Sequence, residues 1–306
     1  MTALVGDPKP GDVIDGRYQL QAEIGRGGHG LVFRALDRQT EQEVALKILN
    51  QNVVDDPQYT VRLWREAQSM AALWGSSVVR VYGFGTDQNG FVYMAMELLH
   101  GETLHDHLNE LEEFGDRMSS FAVLETLDPV ARALHTAHSK GIIHRDIKPA
   151  NIILIYPEHG GGTRLMDFGL AKVHGSMALT QAGMVAGSPS YISPEVWRAQ
   201  PFDHRIDVYS FAAVIYRTFA GHPPFSGDTL VDVLMAATMG SRPKLSPLRP
   251  ELPPTIDVWV ERALAISADD RYPYVSSMWN DLIRIVMDGR GPSSMRARAA
   301  FSLPSG

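Results

Sequence analysis

Ile24 to Ala35 reads IGRGGHGLVFRA, with Gly25, Gly27 and Gly30 spaced as G-x-G-x-x-G and Val32 two places further on. Glycines at this spacing let backbone N–H groups come close to phosphate oxygens, because no side chain stands in the way. Two devices share the pattern. In one, a strand and the glycine turn lead into a helix whose N-terminus holds the pyrophosphate of a dinucleotide. In the other, strands flank the glycines on both sides and the hairpin covers the phosphates of a nucleoside triphosphate. Leu31, Val32 and Phe33 follow Gly30 directly, LDRQTEQE reads as a polar turn and VALKIL as a buried strand. That is a hairpin continuing into a meander. The pattern alone is short, however, and a plain glycine-rich hairpin would carry it too. The rest of the chain has to decide.

Lys47 stands inside the apolar VALKIL run, where an unpaired cation is costly to bury. It therefore requires an anionic partner. Further along, IIHRDIKPANIILI and RLMDFGLAK carry Asp146, Lys148, Asn151 and Asp167 between apolar runs. A polar loop that caps helices is the bland alternative for the same residues.

The elements that must hold these residues change character along the chain. RYQLQAEIGR, GLVFRALDR, EVALKILN, VVRVYGFGTD and GFVYMAMELL are five strand candidates, all before the LLHGETL segment. Asp56 followed by Pro57 is a helix start, and Leu63, Ala67, Met70 and Trp74 behind it recur at helical spacing. After LLHGETL the pattern turns helical. LETLDPVARALHTAHSKG predicts a long amphipathic helix ended by Gly141, and IDVYSFAAVIYRTFAG is apolar nearly all round, as in a helix buried within a core. Strands with one helix, then mostly helices, give an α+β, two-lobed plan with its boundary near Leu98 to Gly101.

Bulk properties exclude several classes. The chain has 306 residues, 44% apolar and 21% charged, which suits a globular protein with a sizeable core. Lysine and arginine number 28 against 35 acidic residues, a net charge of −7 that argues against a general nucleic-acid binder. With no cysteine there is no disulfide or thiolate chemistry. Pro8 and Pro10 break an N-terminus short of apolar residues, so no signal peptide is expected there. VYSFAAVIYRTFAG, the longest apolar stretch, is interrupted by Arg217 and falls short of a membrane span. These features predict a soluble, cytoplasmic chain with a loose, Gly-, Ser- and Arg-rich tail.

Taken in order, the glycine loop, VALK, a helix with a glutamate, H-R-D with an asparagine five residues on, D-F-G, and a P-E pair resemble the eukaryotic-type (Hanks-type) protein kinases, in particular bacterial Ser/Thr members. The resemblance covers roughly residues 15 to 290. It implies a bilobal fold, with residues 1–14 an extension, 15–97 a strand-rich first lobe, 98–290 a helical second lobe and 291–306 a flexible tail. ATP and Mg²⁺, with Mn²⁺ as a substitute, are the implied cofactors. Lys47 is placed on the α- and β-phosphates and on a helix glutamate, for which Glu66 is the candidate. Asp146 would orient or accept the proton of the substrate hydroxyl, Lys148 would neutralise the γ-phosphate, and Asn151 and Asp167 would hold the metal. Adenine would lie against Ile24, Val32, Ala45, Met96 and Ile153, with hydrogen bonds to backbone from Glu97 to Leu99. His144 is read as a scaffold residue packed on Phe168.

Between Asp167 and Glu195 lies a Gly-, Ser- and Ala-rich stretch that suits an activation segment. Arg145, before Asp146, implies pairing with a phosphorylated residue of that segment, with Thr180 the first candidate and Ser176 the second. Departures from the family pattern are Ala182 for a second threonine, Ser188 for threonine, Ser193 for alanine, Ala212 for glycine and His29 at the loop tip. Glu195 is expected to pair with Arg271, and Asp207 to bond the H-R-D backbone. The implied partner is a protein bearing serine or threonine, with a homodimer as the form that would phosphorylate itself.

Rivals fare less well. A pseudokinase or scaffold module predicts loss of Lys47, Asp146, Asn151 or Asp167, and all four are present. A small-molecule kinase of the aminoglycoside type would lack the GSPSYISPE segment. A dinucleotide oxidoreductase needs a helix after Gly30, which the sequence does not supply.

Overall fold

The computed structural model describes residues 7–27, 30–49, 73, 75, 77–168 and 189–288. They fall into two compact units, the first ending at His100 and the second running on from Gly101, with the short segment 75–78 belonging to the second.

The first unit is an antiparallel sheet of β1 (Val13–Ile14), β2 (Tyr18–Gly27), β3 (Gly30–Asp37), β4 (Gln42–Leu49), β5 (Val81–Thr86) and β6 (Val92–Glu97), in spatial order β1-β2-β3-β4-β6-β5. Strands β2 to β6 fall within a residue of the five segments read from the sequence or inside them. Two-residue β1 is too short to show any alternation. Tyr18, Leu20, Phe33, Leu46 and Ala95 belong to one buried cluster. Val32 registers with Lys47, Lys47 with Met94, and Ala45 with Met96. Directly opposed residues share a face of a sheet, so Val32, Ala45, Lys47 and Met96 lie on the face away from that cluster. The polar turn between β3 and β4 is tied by Asp37. Its carboxylate accepts from Arg17 at 2.6 and 2.8 Å, from Gln39 N and from Thr40 Oγ1. The bonds to Arg17 hold the Asp37 carboxyl well below its usual range.

The second unit carries a small antiparallel sheet, β7 (Gly101–Thr103), β8 (Ile152–Ile155) and β9 (Thr163–Leu165), in order β7-β8-β9. Its helices among the described residues are α1 (Leu104–Glu113), α2 (Ser120–Ser139), α3 (Pro194–Trp197), α4 (Arg205–Ala220), α5 (Leu230–Met239), α6 (Thr255–Ala263) and α7 (Val275–Asp288). Helix α2 starts four residues before the segment read from the sequence, because the Ser119 hydroxyl accepts from Ala122 N and caps it. Its buried stripe, Val123, Leu127, Val130, Leu134 and Ala137, packs on α4 and α7. That packing offsets Pro129 in the helix interior, which removes one backbone bond at a cost of about 3 kcal/mol. Every residue of α4 from Ile206 to Ala220 is buried. Leu165 N donates to Ser77 O at 2.8 Å, which is why residues 75–78 go with this unit. Among the described residues, no helix is long and apolar enough to cross a membrane.

Candidate active site

Helix α2 delivers the chain into the loop that carries Asp146. Gly141, at φ +73°, turns the backbone out of the helix while its N–H and that of Ile142 return to His138 O and Ala137 O. The loop then hangs from Asp207, in the first turn of α4 and fully buried. Asp207 Oδ2 accepts from His144 N at 2.7 Å and from His138 Nε2 at 2.8 Å, and Oδ1 accepts from Arg145 N at 2.9 Å. Burial by itself would raise the Asp207 pKa. The hydrogen bond and charge of His138, with the backbone donors, outweigh it and hold the carboxyl low. These bonds anchor Arg145 at φ +69°, a backbone region that disfavours side chains.

Beneath the loop, His144 is fully buried, donates from Nε2 to Met166 O at 2.8 Å and accepts from Asp146 N at Nδ1. One donor and one acceptor define a neutral ring, and burial lowers its pKa accordingly. The ring packs on Phe168 with centroids 4.4 Å apart, the scaffold contact the sequence predicts.

Asp146 Oδ2 accepts from Lys148 Nζ at 2.8 Å and from Asn151 Nδ2 at 3.1 Å, while that same amide donates to Asp146 O at 2.7 Å. With Nδ2 turned to Asp146, the amide oxygen of Asn151 is the atom suited to a cation. Asn151 immediately precedes β8 and Asp167 lies two residues after the end of β9; Ile152 pairs with Leu165, and Met166 N donates to Asn151 O at 2.8 Å. The hairpin thus returns both residues to one end. Asp167 takes φ +53° there. One carboxylate and one amide oxygen suit Mg²⁺, which takes few protein ligands and completes its shell with phosphates and water.

Of the other predicted residues, Ile24, Gly25, Gly27, Gly30, Val32, Ala45, Lys47, Met96, Glu97 and Leu99 belong to the first unit and Ile153 to the second. Lys47 is 6% exposed in β4, while Ile24 is half exposed in β2. The glycines differ from one another. At Gly30, φ is +142° and an added Cβ would sit 2.0 Å from Ile48 O, so the protein's own backbone demands glycine. At Gly27 an added Cβ would meet nothing within 4 Å among the described residues. Glycine at 27 therefore leaves room for something outside the strand, as a phosphate cradle requires. Gly30→Ala is expected to destabilise the protein by roughly 1–3 kcal/mol. Gly27→Ala is expected to leave the melting temperature unchanged and to raise the KM for ATP. Thermal denaturation and ATP titration of both variants check this.

Glu195, in α3, and Arg271 form the expected pair, bidentate at 2.6 and 2.7 Å, and Arg271 also donates to the carbonyls of Ala265, Ile266 and Arg205. Next to it, the Ser193 hydroxyl is buried without a hydrogen-bond partner among the described residues. A lone buried hydroxyl costs about 1–3 kcal/mol. Ser193→Ala is accordingly expected to raise the melting temperature, a result that calorimetry reads directly. Glu66, Ser176, Thr180, Ala182, Ser188 and His29, with the helix read behind Pro57, lie outside the described residues.

Two functional-looking residues escape sequence reasoning. His138 bonds Asp207 from the last turn of α2, and nothing in its local pattern marks it. Arg217 enters the sequence reading only as an interruption of an apolar run. A charge within an all-buried helix was the available signal, since it must have partners.

Comparison with known proteins accords with this geometry. Residues 18–284 match the model of the protein kinase domain. The chain is 35% identical over 276 residues to the serine/threonine-protein kinase PknL of Mycobacterium tuberculosis, covering 90% of this chain and 67% of that one. It is 37% identical over 296 residues to the probable serine/threonine-protein kinase PknB of Corynebacterium glutamicum, covering 94% of this chain and 44% of the relative. The chain thus spans from under half to about two thirds of the length of these relatives. Among solved structures, the PknI kinase domain of Mycobacterium tuberculosis superposes with a TM-score of 0.70 at 27% identity, covering 90% of this chain and 98% of that one. With its glycine hairpin, the Asp146–Lys148–Asn151 cluster and the Asp207-anchored loop, the chain belongs to the protein kinase family, in its bacterial serine/threonine branch.

Proposed function

We propose that this serine/threonine protein kinase moves the γ-phosphoryl group of Mg·ATP onto protein serine and threonine hydroxyls, including Thr180 of its own chain. The observation that carries the reading is the Asp146 carboxylate, held between Lys148 Nζ at 2.8 Å and Asn151 Nδ2 at 3.1 Å. It is a proton acceptor fixed beside a cation, the minimum needed where catalysis is mostly positioning and charge neutralisation.

In the transfer, the acceptor oxygen bonds the γ-phosphorus as the bond to the β-bridging oxygen breaks, and ADP leaves with that electron pair. Asp146 orients the hydroxyl and takes its proton. Lys148 offsets charge on the moving group. Asn151 and Asp167 would hold Mg²⁺, or Mn²⁺ in its place, which when bound would offset charge on the phosphate oxygens. Lys47 would bind the α- and β-phosphates, with Glu66 as its proposed carboxylate partner and the backbone of Gly25, Gly27 and Gly30 as the proposed cover. Ile24, Val32, Ala45 and Met96 are the adenine contacts proposed from the first unit and Ile153 the one proposed from the second, with backbone from Glu97 to Leu99 as the hydrogen-bonding partner of the ring. Arg145, whose Nε is buried without a hydrogen-bond partner among the described residues, receives phosphate on Thr180, or on Ser176 as the second site. A cytoplasmic setting and a homodimer as the self-phosphorylating form complete the proposal.

Incubation with labelled ATP and a basic protein, followed by phosphoamino-acid analysis, tests it. Label on serine and threonine that disappears with EDTA is expected. Label on tyrosine, or transfer that survives EDTA, contradicts it.

A further inference from the structure

Arg217 is 6% exposed on the all-buried helix α4. A buried guanidinium is tolerated only when its donors are met. Here Nε and Nη2 donate to the two carboxylate oxygens of Glu112 at 2.8 and 2.9 Å, and Nη2 also to Asn109 Oδ1 at 2.7 Å. Nη1 donates to His105 Nδ1 at 3.0 Å and to the Tyr191 hydroxyl oxygen at 3.3 Å. Five N–H groups thus find five acceptors. His105, Asn109 and Glu112 all lie on α1, whereas Tyr191 closes the 3₁₀ turn Pro189–Tyr191.

Tyr191 is nearly buried, and its carbonyl accepts from Ser210 Oγ at 2.7 Å. Together with Ser193 it lines a small cavity whose other wall includes Arg145, Asp146 and Lys148. Stability alone does not explain an ionic network at this place, since apolar residues of equal volume commonly serve a core as well or better. What hydrogen bonds add is direction. Arg217 fixes Tyr191 at one end of the Tyr191–Glu195 stretch, while Arg271 fixes Glu195 at the other.

We infer that Arg217 is a positioning residue for the acceptor side of the transfer: held by α1, it sets the Tyr191–Ser193 wall against Asp146 and Lys148 through the Tyr191 hydroxyl. The inference rests on the roles proposed above for Asp146 and Lys148. Glu112, Asn109 and His105 hold the guanidinium, and the reacting atoms never touch it.

Steady-state kinetics of the full chain with myelin basic protein tests the inference, using Tyr191→Phe, which removes one oxygen, and Arg217→Lys, which breaks the planar fork. Expected is a fall in kcat/KM for the protein acceptor of about 10- to 100-fold. The KM for ATP, and slow ATP hydrolysis with water as acceptor, stay within about twofold of the parent. The double variant is no worse than Arg217→Lys, because the two residues act as a unit. Unchanged acceptor kinetics in Tyr191→Phe, or a KM for ATP that rises in step with the acceptor's, overturns the inference. Should Arg217→Lys fail to fold, Tyr191→Phe decides alone. A parent chain no more active than Asp146→Asn overturns instead the reading beneath it, and the inference with it.

Discussion

Asp146→Asn yields a folded protein that still binds ATP and transfers phosphate about 10²- to 10⁴-fold more slowly. Asparagine has the shape of aspartate, and its oxygen can still accept from Lys148 or Asn151, whose present bonds are 2.8 and 3.1 Å. The loop remains hung from Asp207 through His144 N and Arg145 N, so the backbone has no reason to move. Lost are the negative charge and the capacity to take the hydroxyl proton. The comparison therefore separates chemistry from binding. A kcat ratio of this size, with melting temperature and ATP affinity preserved, is the expected outcome. A kcat within a factor of about two of the parent shows that Asp146 does not meet the reacting hydroxyl.

Glu195→Ala has the largest expected effect on stability. The side chain of Arg271 is fully buried and that of Glu195 is 10% exposed. Removing the carboxylate strands a guanidinium in the core, a loss of about 3–5 kcal/mol. For a chain of this size that lowers the melting temperature by roughly 10 °C. The pair closes the stretch that begins at Tyr191, so acceptor kinetics should suffer before ATP binding does. Adding Arg271→Met removes the stranded charge and should restore part of the loss. Recovery stays incomplete, because the carbonyls of Ala265, Ile266 and Arg205 lose their donor. Calorimetry of the single and double variants checks the order: parent, double, single. A single variant as stable as the parent contradicts the buried-pair account.

Short apolar runs bounded by glycine and polar turns made the first unit's strands readable, since β4 and β6 are buried along nearly their whole length and β2 and β3 bury Tyr18, Leu20 and Phe33 in the same cluster. Periodicity likewise exposed α2 and α4. Short elements stayed hidden: β8 and β9 are four and three residues long, too brief for a period to emerge. Yet their hairpin brings Asn151 and Asp167 to one end. The turn between them held a clue in Gly160, Gly161 and Gly162, all at positive φ. At the site, ordered motifs pointed to Asp146, Lys148 and Asn151, which the structure clusters, to Asp167, and to the Glu195–Arg271 pair. Motifs did not reveal how Asn151 spends its amide, which depends on backbone 3₁₀ geometry, or that His138 reaches Asp207 across 69 residues. The Arg217 network was equally silent, because its partners on α1 are more than 100 residues away. Long-range polar contacts have no local period to read.

The measurement that tests the central claim most directly is mass spectrometry of the purified chain after incubation with Mg·ATP, beside Asp146→Asn treated identically. The account predicts phosphate on Thr180 in the parent and none in the variant. No phosphate in either, with ATP still bound and a basic protein added as acceptor also unmodified, would contradict it.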